Sequence, residues 1–201
     1  GGCSVVHRYN TIEQQAVMVS STIEEAGPNF HVGAAVGISG DFLNRASVMH
    51  AIGASFICVD VAHGHHILMK EALQFLRTAL GDNIHIMAGN VATLQGINDL
   101  ADWGANSVRC NIGGGSICST RIQTGHGVPG LETIFECAKT DRDVSIIADG
   151  GIRNSGDIVK ALAAGADAVM VGSMLAGTAE TPGSMLQDSD GNKWKVYRGM
   201  A

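Results

Sequence analysis

Short β-branched runs alternate along the chain with longer stretches of helical periodicity. The apolar runs at 4–6, 32–36, 56–61, 84–88, 107–110, 144–148 and 168–171 predict seven strands. Several are continuously apolar, as expected of strands covered on both faces. Between them, the stretches 12–26, 41–52, 66–80, 93–103, 130–139 and 155–164 have the spacing of helices. Asp41, Thr93 and Ser155 stand where N-caps belong, and Gly53, Gly81, Gly104 and Gly165 where helices should stop. Gly-Ala recurs at 53–54, 104–105 and 165–166, each time just before a strand. Such a repeating βα unit predicts parallel strands joined by right-handed crossovers.

Both a doubly wound sheet and a (β/α)8 TIM barrel accommodate that alternation. The polar residues choose between them. Glycine-rich or polar segments follow at least five strands: 60–66, 89–90, 113–120, 149–153 and 172–173. A barrel gathers those strand ends on one face, where its active sites lie, whereas an open sheet would spread them along an edge. A barrel needs eight strands and seven are counted, so the expectation is that an earlier strand precedes Gly1. Residues 1–201 are expected to form a single catalytic barrel domain without an inserted regulatory module. The segment 180–201 lacks regular patterning and is expected to begin a mobile flap.

Composition narrows the function. The 201 residues are 45% hydrophobic, enough for one sizeable core, and carry a formal net charge of −6. No basic block offers a nucleic-acid footprint, and no apolar run reaches membrane-spanning length. Five cysteines without metal-type spacing point to a reducing, cytoplasmic setting.

The candidate chemistry centres on Gly113-Gly114-Gly115-Ser116-Ile117-Cys118-Ser119-Thr120. A free cysteine is commonly a buried packing residue. Among glycines that permit close approach, and beside the Ser116 hydroxyl, Cys118 is better placed to attack a bound ligand. Asp149-Gly150-Gly151-Ile152-Arg153 offers a carboxylate for a ribose diol and glycines for a phosphate; the alternative for Asp149 is a helix cap. With Val171-Gly172-Ser173 it makes the paired loops of a barrel phosphate site. Asp60 is placed to bind a second ribose, that of a dinucleotide. Asn90 offers an amide toward a carboxamide or toward the thiol. Thr120 and Glu180 are candidates to relay a proton to water or ammonia, with an ordinary solvated charge as the alternative for Glu180. His63, His65 and His66 lack a converging cysteine or carboxylate set, so ordering a loop is preferred over binding a metal.

Taken together, Gly115-Ser116-Ile117-Cys118-Ser119-Thr120, Ala148-Asp149-Gly150-Gly151-Ile152-Arg153, Met170-Val171-Gly172-Ser173-Met174 and Glu180-Thr181-Pro182-Gly183 resemble the IMP dehydrogenase / GMP reductase family. The likeness runs from His7-Arg8-Tyr9 to Tyr197-Arg198-Gly199-Met200. It implies a (β/α)8 barrel that binds a purine nucleotide monophosphate, IMP or GMP, with NAD(H) or NADP(H), and it implies a homotetramer. By resemblance, Cys118 attacks purine C2, Thr120 assists proton transfer, and Asp149 holds the ribose. Ser116, Gly151, Gly172, Ser173 and Tyr197 surround the phosphate, while Gly199 and Met200 also meet the substrate. Asp60 and Asn90 fall on the cofactor side, and the carbonyls of Gly113, Gly115 and Cys118 match a loop that holds a monovalent cation such as K+. The family usually has Gly where Asn111 stands, and often Gln at the position of Gly130. The residues lean toward a GMP reductase, with IMP dehydrogenase and a catalytically inactive nucleotide sensor as the other readings.

Overall fold

A computed structural model describes residues 2–197. Seven parallel strands, β1 (Cys3–Val6), β2 (His31–Val36), β3 (Phe56–Asp60), β4 (His85–Val91), β5 (Ser107–Cys110), β6 (Ser145–Asp149) and β7 (Ala168–Met170), pair strictly in chain order. Helices α1 (Ile12–Ala26), α2 (Phe42–Ala51), α3 (Ile67–Leu80), α4 (Leu94–Asp102), α5 (Thr120–Thr124), α6 (Gly130–Cys137), α7 (Ser155–Ala163) and α8 (Ser173–Ala176) lie between or after them. Sequential parallel pairing is the order of a (β/α)8 barrel and not of a doubly wound sheet, whose order reverses at a switch point. Among the described residues β1 and β7 each pair on one side only, so the sheet is an arc of seven staves.

The alternation of strand side chains builds two cores. Ile57, Val59, Ile86, Ala88, Val108, Ile146 and Ala148 face outward and are buried under helices, for example against Met69, Leu73 and Leu76 of α3. Their neighbours Phe56, Cys58, Met87 and Ile147 form a smaller cluster on the inner face. Space there is short: a Cβ on Gly33 would lie 2.2 Å from the Phe56 ring. Followed toward the strand ends, the same inner rows terminate in Asp60, Arg109 and Asp149, so polar groups cap the inner core.

The Gly-Ala repeat has one physical cause. Gly53, Gly104 and Gly165 adopt φ of +97°, +113° and +112°, and the alanine that follows each donates its amide back to the helix it leaves. Those bonds run from Ala54 to Met49, Ala105 to Leu100 and Ala166 to Ala161, at 3.0, 3.0 and 3.1 Å. This is the Schellman ending, repeated at three helix exits that each turn into a strand.

Of the expected caps, Thr93 accepts from the Gly96 amide at 3.0 Å. Ser155 is instead the first residue of α7, whose cap is Asn154, bonded by the Asp157 amide at 3.0 Å. Asp41 makes no cap bond because its carboxylate is engaged by Arg45, 2.8 Å away. The segment after 180 holds a short antiparallel pair, β8 (Leu186–Gln187) with β9 (Lys193–Trp194), that its patterning did not foretell. Among the described residues no helix is long and apolar enough to cross a membrane.

Candidate active site

A cleft of about 560 Å³ opens where β3 to β6 end, lined by Asp60, Asn90, Arg109, Cys118, Thr120 and Asp149 among others. Cys118 is exposed on its rim. Its thiol donates to the Thr120 hydroxyl at 3.2 Å, and its amide donates to the Gly115 carbonyl at 3.1 Å, closing a tight turn that presents the sulfur. The expected nucleophile and its expected proton-transfer partner are therefore in hydrogen-bond contact, an arrangement compatible with nucleophilic catalysis.

The floor of the cleft is a charge network around a buried arginine that periodicity concealed. Arg109, 5% exposed in the middle of the run read as apolar, points inward. It donates from Nη2 to Asp60 Oδ1 at 2.7 Å and from Nη1 to Asp149 Oδ2 at 3.3 Å. Burial disfavours its charge, yet Cys58, Asp60 and Asp149 outweigh burial and hold its pKa above the ordinary guanidinium value. Burial also pushes the Cys58 thiol up to about 11. At neutral pH Cys58 is thus an uncharged thiol, and the two carboxylates are the counter-charges that matter. A single charged residue inside a short strand was the signal available in the sequence.

Asp60 and Asn90, expected on the cofactor side, are joined to the Asp149 side through this network. Asn90 donates from Nδ2 to Asp149 Oδ2 at 2.7 Å and to the Asn111 carbonyl at 2.8 Å. Asp149 caps no helix. Asp149 lines the cleft, and its Oδ1 accepts no hydrogen bond among the described residues.

Ser116, Gly151, Gly172, Ser173 and Tyr197 line one adjoining cavity of about 150 Å³, walled also by Asp149 and Gly150. All five residues expected around a phosphate therefore meet in a space suited to a small anion. Close approach of backbones shapes it: at Gly150, with φ +80°, a Cβ would stand 2.9 Å from the Gly115 amide nitrogen.

Asn111 and Arg121 tie the floor to the Cys118 loop. Asn111 is the one non-glycine with positive φ, +107°, among the described residues. Its Nδ2 donates to the Asp149 carbonyl at 2.8 Å, and its Oδ1 accepts from Arg121 Nη2 at 3.0 Å. Arg121 also donates to the carbonyls of Ile112 and Val128, spanning both ends of the loop.

Other expected residues fall elsewhere. Glu180 is exposed and makes no side-chain hydrogen bond or ion pair among the described residues, so it is not joined to Thr120. Gly199 and Met200 lie outside the described residues. His65 bonds Asp99 at 2.7 Å and lies against Trp103, and His66 caps α3 through the Leu68 amide at 3.1 Å. These two histidines order a loop, and among the described residues no group of three or more His, Cys, Asp or Glu is arranged to hold a metal. In the proposed cation loop, the Gly115 carbonyl is already an acceptor for Cys118.

The family model of the IMP dehydrogenase / GMP reductase domain matches residues 1–201. The chain belongs to that family. It is 50% identical over 172 residues to inosine-5′-monophosphate dehydrogenase of Nitrosopumilus maritimus (strain SCM1), covering 85% of this chain and 36% of the relative. It is 44% identical over 186 residues to GMP reductase of Leishmania major, covering 91% of this chain and 37% of the relative. It therefore spans little more than a third of these relatives' length. Among solved structures, inosine 5′ monophosphate dehydrogenase from Legionella pneumophila superposes with a TM-score of 0.85 at 50% identity, over 98% of this chain and 58% of that one. A GMP reductase from Trypanosoma brucei, in complex with guanosine 5′-monophosphate, gives 0.81 at 45% identity over 85% of this chain and 36% of that one. Members of both branches lie at comparable distance, so membership settles the barrel fold and the family but not the branch.

Proposed function

We propose that the protein is a purine nucleotide oxidoreductase that works at C2 of a purine monophosphate through a covalent Cys118 adduct. The observation that carries this reading is the contact of Cys118 with Thr120 on the rim of a cleft whose opposite wall is Asp149 and whose extension is an anion-sized cavity. The phosphate would sit among Ser116, Gly151, Gly172, Ser173 and Tyr197. The ribose hydroxyls would bind the free oxygen of Asp149, leaving the base over Cys118. Arg109 and Asn90 hold the Asp149 carboxylate in place, so the sugar meets a preorganised acceptor.

In the favoured direction the protein is a GMP reductase. The Cys118 sulfur bonds to C2, and the bond from C2 to the exocyclic nitrogen breaks, releasing ammonia. The nicotinamide cofactor, NADPH, supplies a hydride. Hydride addition at C2 and cleavage of the carbon–sulfur bond then return the thiolate and leave IMP. Thr120 accepts the thiol proton and hands one to the leaving nitrogen, with Glu180 as its partner if the segment after α8 folds over the site. The second reading is IMP dehydrogenase, favoured by the dehydrogenase relatives at 50% identity. There the adduct loses hydride to NAD and water then displaces the sulfur. A monovalent cation at the carbonyls of Gly113, Gly115 and Cys118, a cytoplasmic location and a tetrameric assembly belong to the same proposal.

The test is turnover by purified protein. Oxidation of NADPH with GMP supports the reductase, and formation of NADH with IMP supports the dehydrogenase. Tight binding of either nucleotide without turnover would leave only a sensor.

A further inference from the structure

Beside the main cleft lies a separate cavity of about 130 Å³, lined by Arg8, Gly37, Ile38, Ser39, Asp41, Arg45 and Val61. It is too small for a nucleoside, since cavities for ligands of that size begin at about 300 Å³. Its lining sets two guanidinium groups against one carboxylate, leaving a net positive charge. That carboxylate is spent: Asp41 is held by Arg45, which also donates to Gln15 Oε1 at 2.8 Å and to the Asn10 carbonyl at 3.0 Å.

Arg8 is the exception. Among the described residues its guanidinium forms no ion pair and donates no hydrogen bond, and its Nε is shut off from solvent without a partner. The group is nonetheless held in place. It lies 5.1 Å from the centroid of the Tyr9 ring, and its Nη1 would be 3.5 Å from a Cβ on Gly37. Ile38 and Ser39 of the turn after β2 line the same cavity; Ser39 carries a hydroxyl, and the amides of both residues donate to no backbone carbonyl among the described residues. A fixed, unpaired guanidinium with several free donors around it is built for an oxyanion, and the fork of Arg suits phosphate best.

Arg8 and Val61 line both this cavity and the main cleft, next to Asp60. A ligand extended from Cys118 past Asp60 would therefore reach Arg8. We infer that Arg8, with Ser39 and the turn at 37–40, binds a phosphate of the dinucleotide cofactor. The identity of that ligand rests on the oxidoreductase reading above; the anion site itself does not. Two phosphates share the required chemistry, the 2′-phosphate of NADP(H) and the bridging pyrophosphate common to both cofactors.

The experiment is calorimetric titration of the intact protein and of Arg8→Gln with adenosine 2′,5′-bisphosphate and with ADP-ribose, probes that need no turnover. A loss of roughly tenfold or more in affinity for the bisphosphate alone, the effect of removing a charge-assisted bond, assigns the 2′-phosphate. A comparable loss for both probes assigns the pyrophosphate. Ser39→Asp, which puts a negative charge into the cavity and leaves Arg8 in place, is expected to weaken the same probe. Unchanged affinities in both variants, with folding confirmed by an unaltered unfolding curve, overturn the inference. Inosine and guanosine monophosphate are titrated alongside. If they bind normally while Arg8→Gln has no effect, the inference fails and the oxidoreductase reading stands. If neither binds but the Arg8-dependent binding persists, that reading fails and the anion site stands.

Discussion

The two walls of the cleft are built on opposite principles. The floor, a buried Arg109 between the half-buried Asp60 and Asp149, is charged and fixed by rigid strands. The Cys118 loop is exposed and glycine-rich, held by Arg121 and Asn111 instead of by burial. A substrate's sugar needs a fixed acceptor, whereas a nucleophile must be reachable and must follow its target through addition and release. In the proposed reaction, strand ends would supply the first and a loop the second, which is the division of labour of barrel enzymes.

The largest effect expected from breaking this contrast is at the exposed wall. Cys118→Ala should abolish turnover and leave purine nucleotide binding within about threefold, because the loop's shape depends on backbone and Arg121 contacts and not on the sulfur. Steady-state assays beside calorimetry test this. Residual turnover above about one per cent of the parent would sink the covalent mechanism.

The opposite wall should respond in stability first. Arg109→Met leaves two carboxylates facing each other without their cation; breaking a fully buried pair costs about 3–5 kcal/mol, and partial exposure of Asp60 and Asp149 puts the expected loss at about 2–3 kcal/mol. Urea unfolding measures it. A loss under about 1 kcal/mol would show that water already screens the floor. Nucleotide binding should weaken along with it, since Asp149 would lose the guanidinium that positions it.

A third prediction concerns pH. The Cys58 thiol titrates near 9.0 when unfolded and at about 11 when folded, because burial opposes the thiolate. A folded pKa raised above the unfolded one favours the fold below the unfolded value. The stabilisation is complete below pH 9 and is lost as pH rises through 11, by about 3 kcal/mol for this group. Unfolding free energies measured across that interval should fall steadily, and more shallowly in Cys58→Ala. Equal slopes would remove Cys58 as the cause.

Legibility in the sequence followed the same divide. Everything set by local rules could be read: the seven strands, the repeated Gly-Ala exits, and the loop glycines that surround Cys118. That Ser116, Gly151, Gly172, Ser173 and Tyr197 share one cavity was legible through motif resemblance, because the loops that carry most of them follow successive strands. The floor was not. Arg109 hides in a run whose neighbours are apolar, and its role depends on inward-facing positions of three strands, a relation set by register. Arg8 and Arg121 were missed for a similar reason: what matters is whether a guanidinium finds a partner, and partners are fixed only by tertiary structure. Ser155 was misplaced by one residue because Asn154, beside it, caps equally well.

Asn111 joins the two walls and offers the finest test of how they are coupled. Its φ of +107° suits glycine, while its side chain contributes one bond to the Asp149 backbone and one to Arg121. Asn111→Gly relieves the backbone, worth about 1–2 kcal/mol, and forfeits two hydrogen bonds worth about 1 kcal/mol each, so stability should change by less than about 1 kcal/mol. Asn111→Ala keeps the strain and loses both bonds, and should cost about 2–3 kcal/mol. Chemical unfolding of the two variants side by side decides the matter. Equal losses would mean that the backbone conformation carries no strain here and that the side-chain bonds alone hold the loop to the floor. The expected gap between Ala and Gly would instead show that this strand end is kept in a conformation which only glycine, or an asparagine anchored at both ends, can hold.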